Sequence, residues 1–86
     1  MIFEIDKFKK RLIYRSQYRG TKEMDKLIGT FVKKYINNLD KNELYQLEKF
    51  LEIDDDALYK FYNNEKIDIS IDENKITNLF KSYIYK

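Results

Sequence analysis

Met24-Asp25-Lys26-Leu27-Ile28-Gly29-Thr30-Phe31-Val32-Lys33-Lys34-Tyr35-Ile36-Asn37-Asn38-Leu39 repeats its large apolar residues with the period of an α-helix. Met24, Leu27, Ile28, Phe31, Val32, Tyr35, Ile36 and Leu39 fall at i, i+3, i+4, i+7, i+8, i+11, i+12 and i+15, which lines one helical face. Lys26, Thr30, Lys33, Lys34 and Asn37 take the opposite face. The stretch predicts the central core helix of an all-α fold, over about residues 22–38. Gly29 is its odd member, because a mid-helix glycine costs ~1 kcal/mol relative to alanine. Close approach of a neighbouring helix is the expected reason.

Towards the N-terminus, Ile5, Phe8, Leu12 and Ile13 form a shorter stripe and predict a helix over about 4–18. Lys7, Lys9, Lys10 and Arg11 fall mostly outside it. Glu4 and Asp6 lie at the positive end of its dipole and Arg15 and Arg19 at the negative end, the favourable arrangement. Gly20 follows as a left-handed glycine closing the helix. Thr21 is then the N-cap of the central helix, with Glu23 and Asp25 in its first turn.

Towards the C-terminus, Asp40-Lys41-Asn42-Glu43 has capping-box spacing and opens a third helix, about 41–52, that buries Leu44, Leu47, Phe50 and Leu51. Asp54-Asp55-Asp56 breaks that helix, and one of these aspartates caps a short fourth, about 56–63, carrying Leu58, Phe61 and Tyr62. Lys66 to Asp72 alternates isoleucine with polar residues, a strand-like period. No second strand is available to pair with it, and a lone strand is not stable. The segment is therefore expected to be an extended linker laying Ile67, Ile69 and Ile71 on the core. Asp72 caps a fifth helix, about 73–85, whose apolar face is Ile76, Leu79, Phe80, Tyr83 and Ile84. The expected architecture is a compact single-domain bundle of about five short helices over residues 1–86.

Composition narrows function. A chain of 86 residues buries only roughly 60–65% of its unfolded surface, and the 8 Tyr and 6 Phe supply the large side chains such a core needs. There is no Cys and no His, which removes disulfides, thiol nucleophiles, thiolate or imidazole metal sites and the commonest general base. An enzyme is disfavoured. Seventeen basic and fifteen acidic residues leave a net charge of +2, low for a nucleic-acid binder of this size. No apolar run approaches the ~18 residues that span a bilayer, and no signal-type segment follows Met1. The expectation is a soluble cytoplasmic protein.

Three clusters rise above scaffold. Arg15, Arg19, Lys22, Glu23 and Asp25 gather at the joint around Gly20, with Tyr14 and Tyr18 beside them. The joint reads either as two helix ends with dipole-matched charges or as a protein-binding corner. For the second reading, arginine supplies a planar fork of donors, tyrosine a rigid contact and glycine room for a partner's backbone. Asp54-Asp55-Asp56 suits a hard cation, but it lacks the spacing of a calcium loop and reads better as a helix cap. The tyrosines interleaved with Arg and Lys suggest stacking on single-stranded nucleic acid. The alternative function is accordingly a small nucleic-acid-binding regulator using the basic face of the first helix. A helix-turn-helix reader is disfavoured, because the third helix carries Glu43, Glu48 and Glu52.

The segment Arg11-Leu12-Ile13-Tyr14-Arg15-Ser16-Gln17-Tyr18-Arg19-Gly20-Thr21-Lys22-Glu23 resembles the signature of the succinate dehydrogenase assembly factor 2 family. The family's R-G-x-x-E motif falls on Arg19, Gly20 and Glu23, and its R-L-x-Y-x-S lead-in on Arg11, Leu12, Tyr14 and Ser16. The likeness continues through Leu27, Phe31 and Tyr35, then Leu51, Glu52, Asp55 and Leu58, and covers about residues 8–62. Tyr18 stands where the family often has a basic residue, Thr21 where it usually has Met, and Phe61 where a tryptophan is common. The resemblance implies a non-enzymatic, chaperone-like bacterial assembly factor that binds the flavoprotein subunit of succinate dehydrogenase and promotes its covalent flavinylation. The fumarate reductase flavoprotein is a second candidate client. FAD would belong to the flavoprotein, with no cofactor held stably by this chain, and the chain would be monomeric when free. The implied contacts are Arg19, Gly20 and Glu23, with Arg15, Tyr18 and Asp25 at the rim.

Overall fold

The computed structural model describes residues 4–84. They form five helices: α1 (Ile5–Gln17), α2 (Lys22–Tyr35), α3 (Lys41–Leu51), α4 (Asp55–Tyr62) and α5 (Lys75–Ser82). A single 3-10 turn, Ile36–Asn38, prolongs α2. The all-α expectation holds, and helix boundaries fall where local chemistry puts them.

The α2 stripe is the core. Met24, Leu27, Ile28, Phe31, Val32, Ile36 and Leu39 are all buried. Phe31 lies at its centre, with the rings of Tyr35, Phe50, Phe80 and Tyr83 at 5.1–5.7 Å. Phe50 and Phe80 meet edge-on at 4.9 Å, a geometry worth ~0.5–1.5 kcal/mol per pair beyond area burial. One aromatic cluster thus joins α2, α3 and α5. From α1, Phe8 and Leu12 complete the core. Ser16 continues their stripe and is fully buried, its hydroxyl donating to the Ile13 carbonyl at 2.6 Å.

Gly29 has the reason expected of it. A Cβ there would lie 3.3 Å from Gln17 Cγ and 3.6 Å from the Ser16 carbonyl oxygen, so the last turn of α1 runs directly over this point of α2. Asp40 and Glu43 form the predicted reciprocal capping box at the start of α3.

The C-terminal third departs from the sequence reading. Asn74, not Asp72, caps α5, in a reciprocal box with Thr77. The Thr77 hydroxyl also donates to the Asp72 carbonyl at 2.9 Å, which holds Asp72 outside the helix. The backbone turns extended at Tyr83 (ψ 131°). Tyr83 stays buried there, whereas Ile84 is carried off the apolar face and is 74% exposed. Two hydroxyls secure this end: Tyr62 donates to the Tyr83 carbonyl at 2.6 Å and Tyr83 to Thr30 Oγ1 at 2.8 Å. The 66–72 linker is non-helical, with Ile67 and Ile71 half-buried but Ile69 48% exposed. The partly buried hydrophobic residues packed against the core are Ile13, Tyr35, Ile53, Phe61, Tyr62 and Leu79, so the expected seating of the linker's isoleucines on the core is not found. Ile5, at the first position of α1, is also exposed rather than part of the stripe. The predicted end of the fifth helix at residue 85 lies outside the described residues.

Candidate functional site

The joint between α1 and α2 lies against the joint between α3 and α4, and Arg19 connects them. Its Nε donates to Asp55 Oδ1 at 2.8 Å, Nη1 to the Leu51 carbonyl at 2.5 Å and Nη2 to the Ile53 carbonyl at 2.8 Å. The side chain is 9% exposed. The fork therefore satisfies carbonyls left open at the end of α3, where the helix itself offers no donors, and simultaneously pairs with the first carboxylate of α4. Arginine alone has the planar set of donors for this triple contact.

The backbone of the corner is fixed as firmly. The Arg19 amide donates to Asp25 Oδ1, so Asp25 ties the loop to the first turn of α2. Thr21 is the N-cap as predicted, accepting from the Met24 amide at 3.2 Å. Gly20 has φ +129°, a conformation that side-chain-bearing residues avoid. Its place differs from the expected one: Tyr18 is the C-cap of α1, so Gly20 sits two residues beyond the cap and serves the turn into α2. An added Cβ would meet nothing nearer than Asp55 Oδ2 at 3.9 Å. Backbone conformation, not space, calls for glycine at this position.

Around this clamp the exposed groups divide by character. On the α1 side Tyr14 and Tyr18 are 63% and 68% exposed, their rings 4.5 Å apart. With Arg15, Arg19 and Leu51 they line an open groove of about 230 Å³. On the α4 side Thr21, Glu23, Met24, Asp55, Asp56 and Tyr59 line a second open groove of about 260 Å³. Glu23 is exposed and, among the described residues, makes no ion pair. The corner thus presents a basic, aromatic groove beside an acidic one, with Gly20 exposed at its turn.

The structure brings the six sequence candidates together in one corner but gives them different surroundings. Gly20, Glu23 and Tyr18 are exposed, Arg15 and Asp25 are half-buried, and the Arg19 fork is engaged inside the chain. Sequence reasoning missed Asp55, which stands 36 positions from Arg19 in a run read as a helix cap. Asp54 occupies the N-cap position of α4 without a side-chain cap bond, and Asp56 pairs with Lys60 at 3.2 Å, raising the Lys60 pKa. Among the described residues no acidic group is arranged to hold a metal ion, and no helix is long and apolar enough to cross a membrane. An arginine at a helix end is already accounted for by the helix dipole, so the sequence carries no signal that Asp55 partners Arg19.

Comparison with known proteins gives these observations a context. A family described as flavinator of succinate dehydrogenase matches residues 10–83. A protein of Kluyveromyces lactis is 35% identical over 78 residues, covering 90% of this chain and 48% of the relative. One of Saccharomyces cerevisiae is 38% identical over 63 residues, 72% of this chain and 39% of the relative. One of Arabidopsis thaliana is 32% identical over 56 residues, 65% of this chain and 30% of the relative. All three are named succinate dehydrogenase assembly factor 2, mitochondrial. The chain spans half or less of the length of such relatives. No solved structure matches it. The relatives correct one expectation: they are mitochondrial proteins of fungi and a plant, and the reading of a bacterial, cytoplasmic protein is set aside.

Proposed function

The chain belongs to the family of flavinators of succinate dehydrogenase, and from that premise we propose that its Arg19–Asp25 corner docks the flavoprotein subunit of that enzyme and promotes attachment of FAD to it. One observation carries the reading. Within the family-matched residues, Arg19 locks four helix ends together, and on that rigid base Tyr14, Tyr18 and Glu23 stand exposed. A preorganised patch loses little conformational entropy on binding, and aromatic side chains on such a patch supply most of a hot spot's energy.

In this reading the roles divide. Tyr18 and Glu23 make direct contact, with Arg15 and Tyr14 lining the basic groove. Gly20 gives the turn its conformation and a flat approach. Arg19 and Asp25 are positioning residues that hold the contact groups in place. The covalent chemistry stays with the flavoprotein and its FAD. This chain contributes a binding surface and no nucleophile.

Retention of the succinate dehydrogenase flavoprotein subunit on the immobilised chain tests the assignment. Tyr18→Ala and Glu23→Ala should each weaken retention by about tenfold, equivalent to ~1.4 kcal/mol, while far-UV circular dichroism is unchanged. Undiminished retention by either variant removes that residue from the site.

A further inference from the structure

The net charge of +2 conceals a segregation. Residues 4–38, which form α1, α2 and the turn after them, carry ten basic and four acidic side chains, whereas residues 40–74 carry four basic and eleven acidic. The molecule measures 41 × 26 × 20 Å, several times the Debye length of about 8 Å at physiological ionic strength. A partner that approaches the exposed lysines of α1 and α2 therefore meets their local charge more strongly than the sum over the molecule.

The basic half has a definite face. At Gly29 the α1 and α2 helices make their close approach through Gln17. Lys26 and Lys33, at i−3 and i+4, share Gly29's side of α2, and Lys10 and Tyr14, at i−7 and i−3, share Gln17's side of α1. Lys22, one turn before Lys26, carries that side of α2 to the corner. Lys10, Lys22, Lys26 and Lys33 are all exposed, and among the described residues none makes an ion pair. Their charge is available to a partner.

We propose that this face, continuous with the corner, docks against a carboxylate-rich surface of the flavoprotein and steers its association. The proposal rests on the function inferred above and adds the chemistry of the partner's surface. A protein patch fits better than a long polyanion, because the eleven acidic residues of the other half oppose wrapping by nucleic acid or flat contact with an anionic membrane. Steering of this kind acts on the association rate and is erased by salt.

Stopped-flow association of the full chain with the succinate dehydrogenase flavoprotein subunit tests it. The association rate should fall on the order of tenfold between about 50 and about 500 mM salt. Lys26→Glu/Lys33→Glu should lower the low-salt rate by a similar factor and change dissociation less than about twofold. Asp68→Asn/Asp72→Asn, on the acidic half, should change neither rate. Circular dichroism checks that the variants fold. A complex whose association ignores both salt and the lysine reversal overturns the steering proposal and leaves the corner assignment standing. Failure to form any complex overturns both. Fluorescently labelled single-stranded DNA and phosphatidylglycerol vesicles serve as competing probes. Binding to either that is tighter than to the flavoprotein, and lost in the lysine reversal, also overturns the proposal.

Discussion

At the scale of single residues, Arg19 carries a structural duty that its motif does not advertise. Its side chain donates three hydrogen bonds, one of them to a carboxylate, and is largely withdrawn from water. Truncation leaves two carbonyls and the Asp55 carboxylate without that donor. Arg19→Ala should therefore lower unfolding free energy by about 2–4 kcal/mol, measured by urea titration. Arg19→Lys should recover less than half of the loss, because an ammonium cannot span the three acceptors. A loss below about 0.5 kcal/mol would mean that the fork is an exposed ion pair of little weight. Gly20 makes the complementary prediction. With φ +129° and open space around it, Gly20→Ala should cost about 1–2 kcal/mol from backbone strain and leave a folded chain. The candidate site was legible in the sequence as a cluster, since all six candidates lie within one joint. What was not legible is which of them face inward. That depends on Asp55 and the Leu51 and Ile53 carbonyls, supplied by a different joint of the chain.

At the scale of elements, caps and close approaches decide where helices begin and how near they come. The Glu43 carboxylate accepts from the Asp40 amide in the α3 capping box and pairs with Lys75 of α5 at 2.9 Å. The backbone hydrogen bond first, and the lysine second, hold its pKa below the ordinary value of 4.5. A depressed carboxylate pKa stabilises the fold fully above the unfolded value, and the contribution fades as pH falls through the folded one. The melting temperature of the chain should thus exceed that of Glu43→Gln at neutral pH, with the gap closing below pH 4.5. A gap independent of pH would show that the charge contributes nothing. Gly29 makes a second test. Gly29→Ala gains up to ~1 kcal/mol of helix propensity but sets a methyl 3.3 Å from the flexible Gln17 side chain. The two effects should nearly cancel, whereas Gly29→Leu, which must displace the Ser16 backbone, should cost more than about 2 kcal/mol. Three of the five helices were readable to within a residue at each end because periodicity and caps agree there, whereas the second was run on through Ile36–Asn38, which is a 3-10 turn. The fifth was placed early and run too long, because Asp72 resembles a cap and the Asn74–Thr77 box lacks the usual Glu or Gln at its third position.

At the scale of the whole molecule, the aromatic cluster around Phe31 and Phe80 joins α2, α3, α4 and α5, and Phe8 and Leu12 add α1 to the same core. That core holds the Arg19 clamp at one corner, where the exposed Tyr14, Tyr18 and Glu23 stand beside the ends of α3 and α4. Along the chain, residues 4–38 are mainly basic and residues 40–74 mainly acidic, a polarity that the net charge of +2 hides. The proposed role of the corner is to act on the flavoprotein. Its most direct measurement is co-expression of the succinate dehydrogenase flavoprotein subunit with this chain, with its Glu23→Ala variant and without either, reading covalent flavin by in-gel fluorescence. Strong fluorescence is expected with the native chain and near-background fluorescence with Glu23→Ala at equal levels of folded protein. Fluorescence no higher with the native chain than without it, or as high with Glu23→Ala as with the native chain, would contradict a role for the corner in flavin attachment.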